Sequence, residues 1–326
     1  MKATKILSLA LAIILTLGAL ALTSCTDSKQ YVVGICQYDA HPALDAATQG
    51  FKDAIVAALG EEAVKFDDQN AAGSGDTCST IVSTFVTKNV DLIMANATPA
   101  LAAAQNATSD IPILGTSITE YGVALGIDNF SGTVGTNISG TSDLAPLDQQ
   151  AQMIIDLIPT AKTVGMLYCS AEPNSEYQVK KVTEYLSGKG ITCKDFAFSG
   201  ADDVQIIAAN AAANCDALYI PTDNTAATYA EAIHGVVADS KLPIIAGEEG
   251  ICSACGIATL SIDYYDLGYA TGEMAVKILK GEANVAEMAI EYTPADKIKK
   301  KYNKAICDDL GIDTAALEAK GFTAIQ

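Results

Sequence analysis

Arginine is absent from all 326 residues, so the 20 basic side chains are all lysine, against 39 Asp and Glu. With a formal charge of −19 there is no basic face for a phosphate backbone, which sets nucleic acid aside as a partner. The same absence removes the bidentate guanidinium fork, so a bound carboxylate must meet backbone N–H groups, hydroxyls, amides or lysine. Tryptophan is also missing, and aromatic surface has to come from 13 Tyr and 7 Phe. Histidine occurs only as His41 and His234. There is no G-x-x-x-x-G-K-[ST] loop, no G-x-S-x-G, no H-E-x-x-H, and no G-x-G-x-x-G after a strand. These gaps point away from an enzyme and from a bound cofactor or metal. Cys252 and Cys255, in "ICSAC", have redox or metal spacing, but there is no second such pair and only two histidines to join them.

What is present starts with "MKATK", a 17-residue apolar run and "LTSC" at 22–25. A charged end, a greasy middle and small residues at the cut make an export signal over 1–24. "LTSC" resembles the bacterial lipobox, which implies that Cys25 is diacylated (palmitate) and that 25–30 is a tether to the outer face of a bacterial cell membrane. An uncleaved anchor helix and plain secretion are the alternatives. Eight cysteines then remain, several inside apolar runs such as "VVGICQY", where Cys behaves as a small hydrophobe rather than a disulfide framework.

From Tyr31, continuously apolar strand-like runs alternate with helical stretches, the pattern of parallel sheets covered on both faces. "TEYGVALGIDNFSGTVGTNISGTSD" breaks the rhythm and reads as a crossing between domains, after which the alternation restarts. The fold class expected is α/β with two Rossmann-like lobes, the first over 31–117 plus 265–283 and the second over 118–264 plus 284–326. "DKIKKKYNK" near the C-terminus reads as a solvated helix face, with a docking or membrane-proximal patch as the alternative.

Ligands bind open parallel sheets beyond the carboxyl ends of the strands. The loops there form one set: "QYDAHP", "ANATPA", "LGTSITEY", "SGTSD", "CSAEPNS", "PTDN", "AGEEG" and "SIDYY". Each alone fits simple helix capping. Together they frame a crevice, with helix N-termini as the anion site. Thr98, Thr116, Ser117 and Ser142 are placed to join them. Asp223, Glu248, Glu249 and Asp263 are candidates to meet an ammonium group, and Tyr38, Tyr121, Tyr168 and Tyr264 to wall a side chain. His41 stands before Pro42 at a helix start, as a ligand contact or a plain cap. His234 falls mid-helix and reads as surface or packing.

"HPALDAATQGF", "NATPA", "SGTSDLAPLDQQ", "KTVGMLYCSAEPNS", "ALYIPTDNT" and "GIATLSIDYYDLGYATGEMAVKILKG" together resemble the ABC-transporter substrate-binding lipoproteins of the tryptophan/tyrosine type. The resemblance covers 31 to 283. It implies a type I periplasmic-binding fold with a three-strand hinge and a central cleft that closes on an aromatic or other apolar amino acid. It also implies a separate permease and ATPase as partners, and the protein is expected to be a monomer. Residue by residue it places His41, Pro42, Thr98, Thr116, Ser142, Asp143, Asn174, Ser175, Thr222, Asp223, Asn224, Asp263 and Tyr264 at the cleft. Two departures bear on the ligand: Ala40 precedes the histidine where the family often has an acidic residue, and "GEEGICSAC" is atypical. A sensor or adhesin binding a nucleoside or sugar, and an exported α/β enzyme, are the competing readings.

Overall fold

The computed structural model describes residues 30–325; the export signal, Cys25 and nearly all of the tether lie outside the described residues. Two sheets carry the chain. The first contains β1 (Tyr31–Gln37), β2 (Val64–Asn70), β3 (Leu92–Asn96), β4 (Ile113–Ile118), β5 (Ile138–Ser142) and β11 (Glu291–Tyr292), in the order β2-β1-β3-β4-β5-β11. Its connecting helices are α1 (Pro42–Leu59), α2 (Gly75–Lys88), α3 (Thr98–Ala107) and α4 (Tyr121–Leu125).

The second sheet contains β6 (Thr163–Cys169), β7 (Thr192–Phe198), β8 (Ala217–Ile220), β9 (Ile244–Ala246), β10 (Ala258–Ser261), β12 (Lys299–Tyr302) and β13 (Thr323–Ala324). Its order is β7-β6-β8-β9-β10-β12-β13. Around it lie α5 (Leu147–Leu157), α6 (Pro173–Gly188), α7 (Val204–Asn214), α8 (Asn224–Thr228), α9 (Ala230–Val237), α10 (Glu249–Cys255), α12 (Lys304–Asp309) and α13 (Thr314–Ala319). The first five strands of both sheets share one topology, and the strand order reverses between β1 and β3 and between β6 and β8. Loops at such a reversal point into one crevice.

Parallel strands buried on both faces need apolar side chains on both, because successive residues face opposite sides. Val33, Ile35, Leu92, Met94 and Leu114 fill the core on one face of the first sheet, and Cys36, Ile93, Ala95 and Ile113 the other. The helix α11 (Tyr264–Leu279) closes the first face against α1. The two approach backbone to backbone: a Cβ on Gly268 would lie 1.9 Å from the Ala47 carbonyl oxygen, and one on Gly50 2.1 Å from that of Tyr265. Only glycine permits that contact, which braces the start of α1.

The lobe boundaries differ from those expected. Residues 118–142, expected in the second lobe, form α4 and β5 of the first, and 284–292 also belong there through β11. "ISGTS" reads as a crossing because it is polar. It is nonetheless a fully buried strand, because its hydroxyls are matched internally: Ser139 Oγ donates to the Met288 carbonyl, and Thr141 Oγ1 lies 2.8 Å from Thr271 Oγ1. The chain therefore changes sheet three times: after β5, between β10 and α11, and between β11 and β12. The Lys-rich segment is a second correction. It forms no helix over 296–303 but a 3-10 turn at Ala295–Lys297 and then β12, antiparallel to β10. Tyr302, 1% exposed, anchors that strand, while Lys299 and Lys300 face solvent, as suits a strand near a sheet edge. Among the described residues no helix is long and apolar enough to cross a membrane.

Candidate functional site

The tips of β1, β3 and β4 stand side by side: Tyr38 N donates to the Asn96 carbonyl and Ala97 N to that of Thr116. Two residues there are held in the left-handed region without being glycine, Ala97 at φ 85° and Ser117 at φ 56°. Such strain costs about 1–3 kcal/mol each and collects where a site demands a particular side-chain direction. Ser117 sits in the irregularity between Gly115 and Ile118 where β4 and β5 lose register. Its buried Oγ has no partner.

Opposite lie the tips of β6, β8 and β9, drawn against the first lobe. His41 Nε2 is 3.3 Å from Asn224 Oδ1, and Thr228 Oγ1 donates to Asp39 Oδ2 at 2.9 Å, both across the two lobes. Tyr264, at the start of α11, donates to Asp143 Oδ2 at 2.9 Å and also meets the Thr222 hydroxyl. The chain of hydrogen bonds continues from the Thr222 carbonyl to Asn174 Nδ2, then to Glu172, Asn224 and His41. One connected polar network thus runs along the seam between the lobes.

Buried polar atoms are rarely left without partners. Four such atoms, among the described residues, belong to this seam: His41 Nδ1, Ser117 Oγ, Asp143 Oδ1 and Asn174 Oδ1. His41 is at the N-cap position of α1, yet its side chain makes no cap bond, so plain capping does not account for it. Three helices that begin at the seam, α1, α3 and α6, have no side-chain cap, the condition under which a helix start can receive an anion. Thr98 opens α3.

The carboxylates named for an ammonium group separate sharply. Asp223 receives Ala226 N and Cys169 N, and Glu248 receives Gly250 N and Ile251 N. Asp263 caps α11 from an exposed position, and Glu249 accepts Ser261 Oγ and faces Lys301 at 3.6 Å. Asp143, expected at the cleft but not among those four, combines 3% exposure with a partnerless oxygen. Burial pushes its carboxyl up to about 6; Tyr264 and Thr119 act against that shift, and Glu248 adds to it. Burial also raises Asp223, with Glu172 next in effect, and raises Glu248, with His41 opposing.

Several predicted residues have their polar atoms engaged within the lobes. Tyr121, fully buried, lies inside the first lobe with its hydroxyl 3.0 Å from the Gly115 carbonyl and 3.1 Å from that of Thr141. A Cβ on Gly140 would come within 2.4 Å of that hydroxyl, so ring and glycine are matched. Thr116 Oγ1 pairs with Thr141 Oγ1, Ser142 Oγ with the Thr119 carbonyl, and Ser175 with the Asp223 carboxylate. Tyr38 is buried beside Glu172, and that burial, more than the charge, raises its phenol. Pro42 is exposed; with His41, Glu248, Asp263 and Tyr264 it lines a groove of 570 Å³. Cys252 and Cys255 are buried in α10, and burial raises both thiols. Glu172, 1% exposed, is the residue that sequence reasoning missed. Its place before Pro173 reads as an N-cap, and nothing local shows that its carboxylate reaches 52 residues along the chain to Asn224.

The model of the family described as "ABC transporter substrate binding protein" matches residues 32–317. The chain belongs to that family. A curated relative, the tyrosine-binding protein of Clostridioides difficile, is 36% identical over 299 residues, 86% of each chain. A Streptococcus pneumoniae ABC domain in complex with L-Trp is 31% identical, with a TM-score of 0.85 over 91% of this chain and 100% of that one. A ligand-free, open substrate-binding protein with adhesive properties from Clostridium difficile is 35% identical, covering 91% and 99%, but its TM-score is 0.68. This substrate-binding protein therefore superposes better on the tryptophan complex than on the open relative of higher identity. The type I periplasmic-binding fold with two lobes follows from the same likenesses.

Proposed function

We propose that this substrate-binding protein captures an aromatic or other apolar L-amino acid in the seam and presents it to an ABC permease served by a separate ATPase. The observation that carries this is Asp143, a buried carboxylate with one oxygen unpaired, in a chain whose helices α3 and α6 begin without side-chain caps. An ammonium group at Asp143 and a carboxylate on the N–H groups of such helix starts satisfy both, with no arginine required. The tyrosine-binding relative and the tryptophan-bound structure support the class of ligand. Closure follows from differential contact: a ligand touching both lobes favours the state in which both are near.

Cys25 anchors the mature chain through its acyl groups to the outer face of a bacterial membrane, and the protein acts as a monomer. A Cys25→Ala substitution should release the protein into the medium, as fractionation of cells would show. For the ligand, a thermal-shift screen of amino acids, nucleosides and sugars is decisive. Melting should rise with L-tyrosine or L-tryptophan; a response to sugars or nucleosides alone would reject the reading. Mass spectrometry should recover the bound molecule unaltered, where an enzyme would convert it. The adhesive properties of the Clostridium difficile relative favour a second reading, a surface receptor without transport. Deleting the permease separates the two, since only the transport role makes amino-acid uptake depend on it.

A further inference from the structure

The orientation of one amide decides what His41 can recognise. Glu172 lies at the N-cap position of α6 without capping it. Its carboxylate turns instead to the start of α8. Oε2 accepts Asn224 N at 3.0 Å and Asn224 Nδ2 at 2.7 Å, and Oε1 accepts Thr225 N at 2.8 Å and Thr225 Oγ1 at 2.7 Å. A carboxylate only accepts, so the Asn224 amide nitrogen must face Glu172 and its oxygen must face away. That oxygen lies 3.3 Å from His41 Nε2. An amide oxygen has no hydrogen to offer, so Nε2 carries one. In neutral imidazole the other nitrogen is then a bare acceptor. Nδ1 is that acceptor, buried and without a partner in a side chain only 7% exposed.

We propose that Glu172, acting through Asn224, fixes His41 as a hydrogen-bond acceptor for the side chain of the ligand. The ligand is then an amino acid whose ring carries an N–H or O–H, an indole or a phenol, rather than a plain phenyl ring. This rests on the proposed amino-acid function, in which Asp143 takes the ammonium group and leaves Nδ1 to the ring. Glu172 and Asn224 are positioning residues; His41 makes the contact. A site built around a buried acceptor rejects the analogue that lacks the donor, because the acceptor then loses water and gains nothing.

The test compares L-tryptophan, L-tyrosine and L-phenylalanine by calorimetry on the full mature chain at pH 8. At least one donor-bearing ligand should bind 10–100-fold more tightly than phenylalanine, a spread of about 1–3 kcal/mol for one hydrogen bond to a buried acceptor. His41→Ala should bring the three within about threefold of one another. Equal affinity of all three for the unmodified protein overturns this inference and leaves the proposed function standing. No binding of any of them overturns both.

A second readout is independent of affinity. Long-range proton–nitrogen spectra of the ligand-bound protein should show His41 protonated at Nε2, with His234→Gln assigning the only other histidine. Glu172→Gln, which frees the Asn224 amide to turn, should mix the two tautomers and cut the preference over phenylalanine. If Glu172→Gln lowers only the melting temperature, with tautomer and preference unchanged, the carboxylate is merely structural and the relay fails. Should that variant not fold, the tautomer and ligand preference of the unmodified protein still decide.

Discussion

At the tip of β9, both oxygens of Glu248 receive backbone N–H groups of the helix that follows. At the tip of β8, Asp223 likewise binds Ala226 N and, across the sheet, Cys169 N. At the first crossing, Asp143 binds Tyr264 through one oxygen and leaves the other buried without a partner. All three are acidic residues beyond strand ends, yet two hold the second lobe together and one keeps an unpaired oxygen. The helix ends divide in the same way: those at α8, α10 and α11 are capped by their own side chains, and those at α1, α3 and α6 are not. What sets the seam apart is thus the set of groups that folding leaves unsatisfied. A count of polar residues near the strand tips does not find it.

The strongest way to break that contrast is Asp143→Asn. Its affinity for the amino acid should fall about 100-fold, as expected for removing one member of a desolvated charge pair, while melting moves by only a few degrees. Calorimetry and thermal melts on the same preparation check both halves; weak binding caused by unfolding would dissolve the distinction. Asp223→Ala should do the reverse. Loss of a cap and of a buried acceptor costs about 2–4 kcal/mol of stability in a urea titration, with residual folded protein binding normally.

A third test uses pH. Burial holds the Asp143 carboxyl up at about 6, and a cationic group binds only the ionised form. Affinity should therefore be full above that value and weaken as pH falls through it, by up to about tenfold per unit. Asp143→Asn should lose that part of the profile, and an unchanged profile would move the ammonium site elsewhere. The smallest effect is expected at Tyr121→Phe. Leaving two buried carbonyls short of a donor costs about 1–2 kcal/mol, and affinity stays within the error of calorimetry because the ring faces away from the seam.

Much of the fold could be read along the chain. Continuous apolar runs such as "LIMAN" and "IPILG" declare strands covered on both faces, and the restart after residue 143 declares a duplicated lobe. The reading failed where local polarity and tertiary burial disagree. "ISGTS" is polar but buried, because Thr271 and the carbonyls of 288–289 meet its hydroxyls from far along the chain. "KIKKKY" suits a helix by charge and becomes a strand because Tyr302 finds a buried place beside β10. Among the candidate site residues, His41, Ser117, Asp143 and Asn174 fall in the loops at strand ends that the sequence singles out. Tyr121 was misplaced for the same reason, since position alone does not say which way a ring turns.

Residue types and their spacing determined the parallel α/β lobes, the crevice at the strand tips and the exclusion of an arginine clamp, because these depend on periodicity and composition. The packed molecule alone decided which acidic side chain is free, where the chain crosses between sheets and which nitrogen of His41 bears hydrogen. Those outcomes depend on partners 50 or more positions away in the chain, such as Glu172 for Asn224 and Asn224 for His41. A hydrogen bond is satisfied or left open by geometry in space, which no local stretch of residues encodes.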